Sequence, residues 1–178
     1  MSWMRSVSAI SLAGLLLTCG CVTRLCRYDV RLKADPDLRS ANRRYPPVEV
    51  HVVVLGAADS EAMALRSMSD YWKPRPVREG YEGQEKRMFF GEERDLEQVF
   101  SNEEPLWDAW KKVKEPKLWI VADLPGTYPD RAKDPRRLAI PLERTKWWFR
   151  TLHSIDIVLS RDNGVYARTP AADQSKKQ

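Results

Sequence analysis

The sequence predicts a mainly β fold, a two-sheet antiparallel β-sandwich with one or two short helices. Seven or eight short alternating or β-branched runs recur along the chain with turn signals between them. Two helical patches interrupt these runs, but without the regular alternation that a parallel sheet requires. The composition fits one globular body: 178 residues, 43% hydrophobic and 31% charged, with seven Trp as core material. Wholesale disorder and a polytopic membrane protein are both disfavoured.

Taken in order, Tyr28 to Ala34 alternates strictly, placing Tyr28, Val30, Leu32 and Ala34 on one face of a half-buried strand. Residues 35–47 form a polar connection, opened by Asp35-Pro36 and closed by Pro46-Pro47. Val48 to Leu55 is the strongest strand, with Val48, Val50, Val52 and Val54 inward and His51 expected on a half-exposed opposite face. A helix capped by Asp59 is predicted to run to Trp72, with Ala62, Leu65, Met68 and Trp72 as its stripe. Arg87 to Phe90 is a short strand. A second helix is predicted with Asn102 as cap, Pro105 in its first turn, and Leu106, Trp110 and Val113 inward.

Lys117 to Leu124 reads as a strand apolar on both faces until Asp123. Arg137 to Leu142 alternates, and Pro141 marks an edge or a bulge. Ser154 to Ser160 alternates as well, and Asp162-Asn163-Gly164 turns it into a strand from Val165 to Arg168. The expected domain plan is a signal peptide at 1–20, a tether at 21–27, the sandwich at 28–169 and a disordered polar tail at 170–178.

The N-terminus carries an export pattern. Arg5 precedes an eleven-residue apolar run from Val7 to Leu17, too short to span a bilayer and fitting a signal-peptide core. Leu17-Thr18-Cys19-Gly20-Cys21 follows and is similar to a bacterial lipobox, in which the cysteine thiol receives a diacylglycerol. Cys21, preceded by Gly20, is the expected acceptor of lipid such as palmitate, with Cys19 the alternative; an ordinary secretory signal also accommodates both cysteines. Cleavage before Cys21 leaves 158 residues. Only Cys26 then keeps a free thiol, so the body is expected to be stable without a disulfide.

The remaining chemistry is sparse. Lys+Arg 30 against Asp+Glu 25 gives +5, and the charges interleave, as in Asp134-Pro135-Arg136-Arg137, so no nucleic-acid stripe is formed. His51 and His153 are far apart and no CxxC pair exists, so no metal site is expected. No nucleophile, phosphate-loop or dinucleotide motif occurs, which predicts neither an enzyme nor a cofactor nor a small-molecule substrate. Acid pairs such as Glu103-Glu104 read as solvated segment boundaries. Trp147-Trp148-Phe149 is open to two readings, sandwich core or a stacking platform for sugars, and the second sustains an alternative function as a carbohydrate- or peptidoglycan-binding lipoprotein.

The order of these features resembles a known family. A lipobox, a first strand, a polar loop closing in Pro46-Pro47-Val48-Glu49-Val50 and running to Leu55, and then a small helical element at Ser60 to Trp72 are similar to the TssJ family, the outer-membrane lipoproteins of type VI secretion systems. Leu118 to Ala122 resembles that family's central strand, and Ile155 to Leu159 its penultimate one.

The resemblance implies a transthyretin-like sandwich tethered by lipid to the periplasmic face of an outer membrane. Val22 after the acceptor cysteine lacks the Asp of inner-membrane retention. It further implies a non-enzymatic assembly subunit that holds the periplasmic part of a large inner-membrane subunit through the loop between the first two strands. The corresponding residues run from Asp35 to Tyr45, with Leu38, Arg43, Arg44 and Tyr45 best equipped for a protein interface; Arg43-Arg44 also suits solvent or anionic lipid heads.

Overall fold

The computed structural model describes residues 25, 27–73, 84–91, 94–129, 133–142 and 154–168. The predicted cleavage site, Cys19, Cys21, Cys26, Trp147 to Phe149 and the C-terminal tail lie outside them. The elements are β1 (Asp29–Ala34), a 3-10 turn (Pro36–Leu38), β2 (Val48–Leu55), α1 (Ala57–Leu65), α2 (Met68–Tyr71), β3 (Glu85–Phe90), β4 (Glu97–Phe100), α3 (Leu106–Trp110), β5 (Lys117–Ala122), β6 (Arg137–Pro141), β7 (Ser154–Ser160) and β8 (Gly164–Ala167).

Two four-stranded sheets pack face to face, in the orders β4-β1-β7-β8 and β3-β2-β5-β6. The second sheet is antiparallel throughout. The first is mixed, because β1 pairs with β7 in parallel, Val30 opposite Ile155 and Leu32 opposite Ile157. That corrects the expectation of purely antiparallel sheets. The two strands come from opposite ends of the chain, so no hairpin turn dictates their relative direction.

Between the sheets, the inward residues of β1, β2, β5 and β7 meet as the alternation predicts, and Val30, Leu32, Val52, Ile120 and Ile157 are buried. Val52 is fully enclosed. At one end of the sandwich Phe100, Trp107 and Trp110 close the core, with ring centroids 5.2 to 5.6 Å apart. Trp107 Nε1 donates to the Ser101 carbonyl at 2.9 Å, and Trp110 Nε1 to that of Gln84 at 3.0 Å, so both indoles bury no orphaned donor.

The outer face of the second sheet departs from the sequence reading. His51 is 0% exposed, not half-exposed, because α1 and α2 lie over this face. Val53, Leu55, Met63, Met68, Tyr71, Trp119 and Val121 form a second apolar cluster there. The single predicted helix is two. Gly56, not Asp59, is the N-cap of α1, and Ser67 caps α2 by accepting from the Asp70 amide at 3.1 Å.

The break is held from outside. Arg137 of β6 donates from Nη1 to the carbonyls of Met63 and Arg66 (2.6 and 2.7 Å) and from Nη2 to that of Ala64 (2.6 Å). A guanidinium there satisfies the end carbonyls that a helix leaves open. Within α1, Ser60 and Met63 are buried while Leu65 is 82% exposed.

Three smaller corrections concern residues 94–110. Strand β4 has no sequence counterpart in the prediction, since Glu97-Gln98-Val99-Phe100 buries only Phe100. Asn102 does not cap α3; Pro105 holds that position, and the Asn102 amide donates to Asp29 Oδ1 at 2.8 Å. Trp107, absent from the predicted stripe, is fully buried beside Trp110.

Candidate functional site

Strand pairing sorts the connections into two ends. Residues 35–47, 91, 94–96, 123–129, 133–136 and 161–163 all lie at one end, because these segments follow or precede strand termini that are paired there. Leu25, Arg27 and α3 lie at the other. There Leu25 packs on the core, and Arg27 bonds Asp108 at 2.5 Å. Strand β1 joins the two ends directly. Six residues at roughly 3.3 Å each separate them by about 20 Å.

The connection 35–47 begins as β1 ends. Asp35 leaves the ladder with its amide on the Leu159 carbonyl (2.8 Å), and its side chain caps the 3-10 turn by accepting from the Asp37 amide at 3.0 Å. Pro36 in the first position suits such a start. Leu38 is 1% exposed and sits in the main core, so it anchors the loop from beneath and offers no surface to a partner.

Beyond it, Ser40 N–H donates to the Arg44 carbonyl (2.7 Å) and Arg43 N–H to that of Ser40 (2.8 Å). This closes a tip in which Arg43 adopts φ +59°, a left-handed conformation costing a non-glycine residue about 1 kcal/mol. Arg39, Arg43 and Arg44 are exposed, and Tyr45 is half-buried with the Arg39 guanidinium 4.9 Å above its ring centroid. Of the four predicted contact residues, then, the structure presents Arg43, Arg44 and Tyr45 together and withdraws Leu38.

A residue the sequence reading passed over organises this loop. Asp37 Oδ2 accepts from Ser160 Oγ (2.5 Å) and the Asp162 amide (3.2 Å), and Oδ1 from the Arg161 amide (3.1 Å). Arg161 returns a bond from Nη2 to the Leu38 carbonyl at 3.0 Å. Burial pushes the Asp37 carboxyl up, yet the bonds from Ser160, Arg161 and Asp162, with the charge of Arg161, hold it below the ordinary value. The partners are more than 120 residues away in sequence, so only the Asp-Pro-Asp turn pattern and the Asp162-Asn163-Gly164 signal were there to be noticed.

The neighbouring turns are equally fixed. Tyr128 O–H donates to the Arg161 carbonyl at 2.8 Å, and Asp134 takes a two-pronged bond from Arg136 at 3.0 and 2.6 Å. Gly164, at φ +74°, is required: a Cβ there would lie 2.2 Å from the Pro135 carbonyl oxygen.

A second polar group lies under the helices. His51 Nδ1 is 2.7 Å from Tyr71 Oη and 3.3 Å from Glu85 Oε2, and Nε2 is 2.7 Å from Glu49 Oε1. Burial raises the Glu85 carboxyl, but the bonds and charges of His51 and Arg87 outweigh it and leave it lowered. Both ring nitrogens are engaged, so His51 ties α2 to β2 and β3. Among the described residues no group of three or more His, Cys, Asp or Glu could hold a metal ion, and no helix is long and apolar enough to cross a membrane.

Fold and loop together define a two-sheet β-sandwich that presents a preshaped basic and aromatic loop at the end opposite its N-terminal segment. No family model matches the sequence, and no curated protein matches it. Solved structures do. A chain of the structure described as "Type VI membrane complex" superposes with a TM-score of 0.50 at 13% identity, covering 82% of this chain and 100% of the other. A chain of "T6SS protein TssM C-terminal domain (869-1107) from EAEC" gives 0.50 at 15% identity, covering 79% and 99%. Serratia marcescens Lip, a membrane bound component of the Type VI Secretion System, gives 0.48 at 16% identity, covering 83% and 99%. The resemblance read from the sequence is thus met at the level of fold: this chain shares its β-sandwich with chains from type VI secretion structures.

Proposed function

We propose that this chain is a lipid-anchored structural subunit of a type VI secretion membrane complex, held at the periplasmic face of the outer membrane through Cys21. On this reading it binds the periplasmic part of an inner-membrane subunit of the TssM kind through residues 39–45 and performs no catalysis. The observation that carries the reading is the polarity of β1. The strand starts beside the N-terminal segment and delivers the chain, about 20 Å further on, to the Arg43-Arg44-Tyr45 tip. On this reading an anchor at Cys21, six residues before Arg27, enters at the end opposite the tip, so that the tip faces away from its own membrane.

Charge supports the same reading. Both carboxylates of the loop are turned to internal bonds while its three arginines are exposed, which suits an acidic protein surface. The test is co-recovery from solubilised membranes. Wild type should bring down the inner-membrane subunit. Cys21→Ser should lose its fatty-acid label and move the folded body into the soluble periplasmic fraction. A Cys21→Ser protein that stays membrane-bound and labelled by fatty acid would contradict the anchor.

A further inference from the structure

We infer that Asp37 is a positioning residue for this interface: by clasping the turn after β7 it holds the Ser40–Tyr45 tip in the shape the partner binds. The inference rests on the loop being the interface, and it assigns a role to a residue that does not touch the partner. Three observations lead to it.

The tip is tied to its surroundings, since Tyr45 packs against the core and Leu38 beneath it is buried. Its described internal backbone bonds are those of Ser40 and Arg43, and Arg43 adopts a left-handed conformation that persists only where the surroundings over-determine it. The over-determination comes through Asp37 and its neighbour. The carboxylate takes three bonds from Ser160, Arg161 and Asp162, and Arg161 returns one to Leu38, whose side chain is sunk in the core. The base of the clasp is itself rigid, because Ser160 is 0% exposed and its Oγ also accepts from the Asn163 amide at 2.9 Å.

The same carboxylate does a second thing. Turned onto the β7–β8 turn, it is directed away from the exposed side chains of Arg39, Arg43 and Arg44, the cations an acidic partner surface would meet. If the clasp opens, only the fraction of molecules with the tip correctly shaped can bind, and apparent affinity falls by that fraction.

The experiment pairs amide hydrogen exchange at Ser40 and Arg43 with affinity for the recombinant periplasmic domain of the TssM-type subunit. It uses Asp37→Ala, Ser160→Ala and the double variant, with Arg44→Glu/Tyr45→Ala as a control for the interface. Asp37→Ala should speed exchange at both amides and weaken binding by about tenfold, and saturating partner should restore protection at both. Ser160→Ala should act in the same direction by less, and the double variant should be no worse than Asp37→Ala alone, since both changes open one clasp.

Faster exchange with unchanged affinity would overturn the inference while the control still loses binding. Weaker affinity without faster exchange would overturn it too. A control that binds like wild type would instead remove the interface itself, and the inference with it. Should Asp37→Ala not fold, Ser160→Ala alone carries both readouts, and the same pairs of results support or overturn the clasp.

Discussion

The strands, six-residue β1 among them, run between two ends of the sandwich that are held by different physics. At the α3 end, Phe100, Trp107 and Trp110 close the core with large apolar rings, and each indole N–H finds a backbone carbonyl. At the loop end, order comes from the Asp37 carboxylate, which takes the Ser160 hydroxyl and two turn amides, with Arg39, Arg43 and Arg44 exposed outside it. Apolar packing contributes free energy without much regard to what lies beyond it. A hydrogen-bonded clasp contributes less stability but fixes the shape of an exposed polar segment. The first end is built to keep the body folded and the second to present something.

The comparison breaks first at the apolar end. Trp107→Ala removes a fully buried ring from the plug and should cost about 3–5 kcal/mol in urea unfolding. A cost below about 1 kcal/mol would mean that the rings do not seal the core. On the outer face of the second sheet, Arg137→Met keeps the volume but removes the guanidinium that bonds three helix-end carbonyls. It should cost about 1–3 kcal/mol and speed exchange in α1.

The loop end should respond to acid instead. Asp37 has a carboxyl held below its unfolded value of about 3.9, so its contribution is complete above that pH and disappears as pH falls through the folded value. Asp37→Asn should therefore lower stability at pH 7 and flatten the acid limb of a stability–pH profile below about pH 4, where wild type loses the same contribution. Glu85 is shifted in the same direction and remains in both proteins, so the difference profile isolates Asp37. Parallel acid limbs would show that the clasp adds no stability.

What was legible in the sequence follows the same division. Strict alternation in Tyr28 to Ala34 and the valine run of β2 placed both core faces correctly, because one buried face imposes a period of two. Pro141 reads as an edge or a bulge, and β6 is an edge strand of its sheet. Where two elements compete for one surface the pattern failed. His51 reads as half-exposed until α2 is laid over it, and β4 buries too little to write a period into its sequence. The parallel pairing of β1 with β7 joins residues over 120 positions apart, which no local signal reports.

In the candidate site, Arg43, Arg44 and Tyr45 were legible as chemistry. Leu38 was not legible as an anchor, nor Asp37 as a clasp, because both acquire their roles only from partners across the fold.

The central claim is that the loop end is the binding end. It is tested most directly by Arg44→Glu/Tyr45→Ala, measured at once for melting temperature and for capture of the inner-membrane subunit's periplasmic domain. Both side chains lie outside the core or at its margin, so the melting temperature should stay within about 2 °C of wild type. Capture should be abolished, and whatever binding remains should depend less on salt, since exposed charge pairs are screened over about 10 Å at 0.1 M. A double variant with an unchanged melting temperature and wild-type capture would contradict the account.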